Sequence, residues 1–224
     1  MKLISMGKPH NVTMLESIAR RVIKGFDPSL LIGTPEAIPI EKIAGYLGLA
    51  IEYQCLRKNG VVLGEMVYND SLVPVYLDNG IKKGYTLIKV KGGTIMLDES
   101  LLLRGMEGRL RFTCAHEIAH YLLHKSLYTR TGQAAALGNP KKSSEENPYV
   151  ERQADILGTA LLMPKGQVKK AFHAHRNASD PVKMLAGVFQ VSKQAMGIFL
   201  KDSKLLDSQK FYKKTAPSKQ IWYS

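Results

Sequence analysis

The stretch CAHEIAHYLLH, residues 114–124, is the tightest constraint on how this chain can fold. At about 100° per residue, with His116 at zero, Thr113, Glu117, His120 and His124 fall between about 40° and 100°, on one stripe of a helix. Phe112, Ala115, Ile118, Ala119, Leu122 and Leu123 fall between about 200° and 340° and form a continuous apolar band. Such a helix must rest on a core with one side and face a cleft with the other.

Two imidazoles one helical turn apart reach one divalent ion at about 2.0–2.1 Å, and the intervening Glu117 reaches a water on that ion. Two protein ligands do not complete such a site, so a third is expected elsewhere. YVERQADILGTALLMP supplies it: Glu151 and Asp155 lie one turn apart at the margin of an apolar face made by Val150, Ala154, Leu157 and Leu161. Carboxylates beside a core are costly unless paired or metal-bound, so Glu151 is read as the third ligand. Asp155 is read as the acceptor for the free ring nitrogen of a ligating histidine, His116 first. The small Ala154 and Gly158 allow this helix to approach the histidine helix closely. His124 continues the stripe but is expected to face solvent or cap carbonyls. His10 lies outside every motif, and Cys114, at about 160° on the wheel, is read as buried filler.

The surrounding chain provides the frame. Residues 12–25 after Asn11 and Glu41–Leu47 have helical spacing. From Ala50 to Asp98 the runs AIEYQCL, VVLGEMVYN, LVPVYLD, YTLIKVK and TIMLD are separated by Asn-Gly, Asn-Asp, Asn-Gly and Gly-Gly, which predicts a small, mostly antiparallel sheet. Helices are expected near 107–124, 147–163, 165–175, 181–188 and 192–202, with a Gly/Ser/Asn/Pro-rich loop between the first two. The expected organisation is residues 1–164 as one domain, 165–203 as a helical subdomain and 204–224 as a basic tail.

With 224 residues, 45% of them apolar, the chain is long enough for a sizeable core. Cys55 and Cys114 are its two cysteines and suit reduced thiols better than a disulfide framework. There is no apolar stretch of membrane-spanning length, and MKLISMGKPHN lacks a secretory h-region, so a cytoplasmic protein is expected. The net charge of +13 is compatible with an acidic partner, nucleic acid included, or with an ordinary solvated surface.

RFTCAHEIAHYLLH at 111–124 and ERQADILGTALLMP at 151–164 resemble the ImmA/IrrE family of zinc metallopeptidases. The resemblance runs upstream through IEKIAGYLGLAIEY and TIMLDES and downstream into LAGVFQVSKQAMGIFLKDSKLL. It implies an α+β, zincin-like fold with a small sheet, an active-site helix, a ligand helix and a C-terminal helical piece. It implies Zn²⁺ held by His116, His120 and Glu151, with Glu117 as general base. It also implies a protein substrate, a transcriptional repressor encoded nearby, often in a mobile element. Three protein ligands would leave a fourth position open for water. No oxyanion-stabilising group is assigned among His173, His175 and Tyr149. The contrasting reading is a DNA- or protein-binding regulator with a structural zinc, for which the Gln190-Val191-Ser192 turn imitates a helix-turn-helix. The blander reading of that turn is a helical cap beside the cleft.

Overall fold

The computed structural model describes residues 11–57, 62–78, 80, 83–130 and 148–206, with Thr129 and Arg130 described by backbone only. The Asn59-Gly60 turn signal, His10, residues 131–147 of the stretch expected to form the Gly/Ser/Asn/Pro-rich loop, and the tail from 207 onward lie outside the described residues.

Helix α1 (Val12–Phe26) starts where Asn11 accepts the Met14 N–H at 2.8 Å, a cap worth about 1 kcal/mol. Leu15, Ile18, Ala19, Val22 and Ile23 form its buried face. A short α2 (Ser29–Ile32), not anticipated from the sequence, follows the Asp27-Pro28 corner, where Asp27 accepts the Ser29 N–H. Helix α3 (Ile40–Tyr46) leads into strand β1 (Ala50–Gln54). Then come β2 (Gly64–Val67), β3 (Ser71–Asp78), β4 (Lys83–Val90) and β5 (Thr94–Asp98).

The strands form two sheets, which refines the single, mostly antiparallel sheet expected. One has the order β1-β5-β2, with β1 parallel and β2 antiparallel to β5; the other is the antiparallel β3–β4 hairpin. Hairpin signals report pairing between chain neighbours and carry nothing about β1, which pairs with β5 more than forty residues later. Every residue of β5 is buried, as expected of a strand covered on both faces. Ile95 and Leu97 face the main core, while Met96 joins Leu56, Val67, Val73, Val75 and Val90 in a second cluster under the hairpin. Asp98 ends β5 by accepting the Leu56 N–H at 2.9 Å and the Ser100 N–H at 3.0 Å, and starts a 3₁₀ turn over Glu99–Leu102.

Helix α4 (Glu107–Arg130) lies across the sheet and packs against α5 (Pro148–Leu162). It runs six residues past His124, where no stop residue occurs, and Tyr128 in this extension stacks on Tyr68 at 4.8 Å. Helices α6 (Lys165–His175), α7 (Pro181–Phe189) and α8 (Lys193–Asp202) complete the described chain. One cluster of buried side chains runs through all of this, from Ile23 and Ile43 through Ile118 and Leu157 to Val168, Phe189 and Leu200.

The Gln190–Ser192 turn is packed on α4. Gln190 adopts the left-handed conformation and its carbonyl accepts from Arg111 Nε at 3.1 Å, while Arg111 Nη2 donates to Ile38 O at 2.7 Å. A methyl at Gly108 would sit 3.1 Å from Ser192 N. The turn therefore belongs to the scaffold beneath the first turns of α4. No helix among the described residues is long and apolar enough to cross a membrane.

Candidate metal centre

Ile118, Leu122 and Leu123 bury the back of α4, each contributing about 1.5–3 kcal/mol. That is enough to hold a polar stripe in the interior, where each unsatisfied group costs about 1–3 kcal/mol. Ala115 and Ala119 keep the same face thin. A methyl at Gly158 of α5 would lie 3.2 Å from His116 N and 3.3 Å from Ala115 O, so glycine there lets the two backbones close. This approach carries the α5 carboxylates to the α4 imidazoles.

His116, His120 and Glu151 converge so that one donor atom from each lies within 4.8 Å of the others. His116 Nε2 is 2.9 Å from His120 Nε2 and 3.2 Å from Glu151 Oε2, and His120 Nε2 is 3.5 Å from Glu151 Oε1. Ligands at about 2.0–2.1 Å from a tetrahedral ion are spaced about 3.3–3.4 Å apart, and the three separations bracket that value. Glu151 Oε1 is buried without a hydrogen-bond partner among the described residues. An oxygen in that state is offered to something other than protein. The donor set and its spacing thus fit a zinc-type cation.

The electrostatics follow from the convergence. Burial works against charge on His116, but hydrogen bonds to Asp155 and Glu151 overcome it and bring its pKa up to about 10. Burial likewise opposes the Glu151 carboxylate, and the two imidazoles outweigh it and bring its pKa down to about 2. His116 Nδ1, the nitrogen turned from the cluster, is 3.0 Å from Asp155 Oδ1, the contact anticipated from the spacing of α5.

Glu117 is buried beside the cluster. Its pKa is raised, by burial first and by Glu151, against the lowering influence of His120, His116 and the Met66 N–H, which donates to it. Strand β2, an edge of its sheet, therefore touches the site. Gly64 in that strand faces Thr113 and Glu117 so closely that a methyl would lie 2.6 Å from Thr113 Cγ2 and 2.8 Å from Glu117 Oε1. Glu65 and Tyr68, on or just after β2, both have raised pKa values because of burial, with Glu117 adding to each.

His124 corrects the sequence reading. It is 1% exposed, not solvent-facing, because α4 continues beyond it. Its Nδ1 lies 3.1 Å from His120 Nδ1 and its Nε2 3.2 Å from Gln153 Oε1. Gln153, Gly64 and Tyr68 are the neighbours that sequence reasoning missed. Glycine in a strand signals a close approach, so Gly64 carried the one available clue. Of the unassigned candidates, His173 is exposed on α6, and Tyr149 is 46% exposed at the start of α5. Cys114 is buried, which pushes its thiol up to about 12, and Cys55 is partly buried; both are free.

A cavity of about 890 Å³ lies among α1, α5 and α8, with Arg20, Phe112, Asp155, Ile156, Met163 and Phe199 in its wall; none of His116, Glu117, His120 and Glu151 lines it. The family model of the IrrE N-terminal-like domain, peptidase family M78, matches residues 86–201, just over half of the chain. The match takes in α4 and α5 and begins within β4, so IEKIAGYLGLAIEY lies outside it. No curated protein matches the chain.

Proposed function

The chain belongs to the IrrE N-terminal-like family of metallopeptidases, M78, and we propose that it is a zinc endopeptidase cutting a regulatory protein, a helix-turn-helix transcriptional repressor. The observation that carries the reading is the convergence of His116, His120 and Glu151 beside a buried Glu117. In this proposal the two imidazoles and the Glu151 carboxylate hold Zn²⁺. When bound, the ion supplies Lewis acidity to the scissile carbonyl and to water.

The rest of the reaction falls to protein groups. Glu117 takes the proton of the attacking water and passes it to the leaving amine. Burial raises its pKa, which brings the carboxyl closer to the range where one group serves as base and then as acid. The Met66 N–H holds that carboxylate in place from the edge of the sheet. Asp155 fixes the ring of His116 through Nδ1, leaving Nε2 for the metal. The repressor as target rests on the family resemblance.

The test pairs zinc content with cleavage. Glu117→Gln should keep bound zinc and lose cleavage of a helix-turn-helix repressor encoded beside this protein. Cleavage at the wild-type rate by that variant removes Glu117 from the mechanism, and cleavage that persists after complete chelation removes the metal.

A further inference from the structure

We propose that His124 and Gln153 are positioning residues that fix the proton on His120 and so aim its Nε2 at the metal. The inference rests on the zinc reading above and extends it to two residues with no assigned role.

Gln153 Oε1 is a carbonyl oxygen and only accepts, so His124 Nε2, 3.2 Å away, carries a hydrogen. In a neutral imidazole the other nitrogen is then a lone-pair acceptor. That nitrogen, His124 Nδ1, faces His120 Nδ1 at 3.1 Å, and two ring nitrogens at that distance need one hydrogen between them. The hydrogen therefore sits on His120 Nδ1. This leaves the His120 Nε2 lone pair directed toward His116 Nε2 at 2.9 Å and Glu151 Oε1 at 3.5 Å. One amide oxygen sets the tautomers of two rings in series.

Burial makes this setting firm. His124 is 1% exposed and Gln153 7%, so water has little access to compete for either ring nitrogen. The same helix serves both ligating histidines: α5 presents Asp155 to His116 Nδ1 directly and Gln153 to His120 Nδ1 through His124. The two ends differ in a physically sensible way. The Asp155 carboxylate is half-exposed and bears its charge in contact with water. The deeper position is occupied by a neutral amide, which accepts a hydrogen bond without the cost of burying an anion.

The test uses the full-length protein with ¹⁵N-labelled histidine. Long-range ¹H–¹⁵N spectra of metal-free and zinc-loaded protein should show His120 protonated at Nδ1 and His124 at Nε2. Zinc affinity is read by competition with a chelator. His124→Phe and Gln153→Leu, which remove the acceptors, should weaken zinc by about 10–100-fold. His124→Asn restores an acceptor for His120, so it should recover to within about threefold of wild type on the same scale. A purely packing role would not distinguish Asn from Phe in this direction, since Asn fills the space less well. Protonation of His120 at Nε2, or of His124 at Nδ1, overturns the proposal, as does wild-type zinc affinity in both acceptor-removing variants. Glu151→Ala serves as the control: if it binds zinc like wild type, the metal reading fails, and the tautomers still decide the relay.

Discussion

Gly64 of the edge strand and Glu117 of α4 are in such close apposition that a single added methyl would lie 2.8 Å from the carboxylate oxygen. The same methyl would meet Thr113 Cγ2 at 2.6 Å, so neither direction offers room. Gly64→Ala should displace the Glu117 carboxylate, cut turnover strongly and cost about 1–3 kcal/mol of stability, the usual penalty of overpacking. Zinc content should be nearly unchanged, because none of the three converging ligand side chains is touched. Peptidase assays beside metal analysis check this, and full activity in the variant contradicts the role given to β2.

Gly158 makes the complementary case on the other helix. A methyl there would lie 3.2–3.3 Å from the His116 N and Ala115 O atoms, so α5 must back away by a few tenths of an ångström. Gly158→Ala should therefore weaken zinc by moving Glu151 relative to the imidazoles, with a modest loss in melting temperature. Chelator competition reads the first effect and thermal denaturation the second; unaltered zinc affinity would mean that helix separation does not govern the centre.

The response to pH has a defined sign. Glu151 ionises more readily in the fold, its pKa lowered from 4.5 to about 2, so its contribution is present above pH 4.5 and lost as pH falls toward 2. The pKa of His116 is raised from 6.5 to about 10, so its contribution is present below pH 6.5 and lost as pH rises toward 10. The pair supports the metal-free fold fully between those limits, from pH 4.5 to pH 6.5. Zinc must displace the His116 proton, so the rise in melting temperature produced by saturating zinc should grow from about pH 6 to about pH 9. Scanning fluorimetry with and without zinc measures it; an increment that shrinks over that interval contradicts the linkage.

Arg111 ties α4 to two distant segments through the carbonyls of Ile38 and Gln190. Arg111→Met keeps much of the side-chain stem and removes both bonds. It should destabilise the protein by about 1–3 kcal/mol, mostly through loss of the charged hydrogen bond to the part-buried Ile38 carbonyl, since the bond to Gln190 O is exposed. Denaturant unfolding checks the size, and a loss below about 0.5 kcal/mol would show that the Gln190–Ser192 turn is held by packing alone.

Much of this was legible in the chain because local patterns specify local structure. The apolar band from Phe112 to Leu123 marked the back of α4, and the β-branched runs marked each strand to within a few residues. What local pattern cannot carry is partnership across the fold. The β1–β5 pairing was invisible because no turn connects those strands. The burial of His124 was missed because the helix was expected to end near residue 124, whereas Tyr128 stacks on Tyr68 and the helix continues. Gln153 had no signal at all: two residues from Glu151 on a helix, it projects about 200° away from it. It meets the site because the prolonged α4 brings His124 to it.

In the proposed centre one zinc ion is held by two imidazoles and one carboxylate, with one position open to exchange. X-ray absorption at the zinc edge tests it most directly. The expected spectrum has a shell of nitrogen and oxygen at about 2.0–2.1 Å containing two imidazoles and no sulfur, with a component that changes when an exogenous ligand such as a hydroxamate is added. Three imidazoles, a sulfur scatterer from Cys114 or Cys55, or a shell indifferent to added ligand would contradict it.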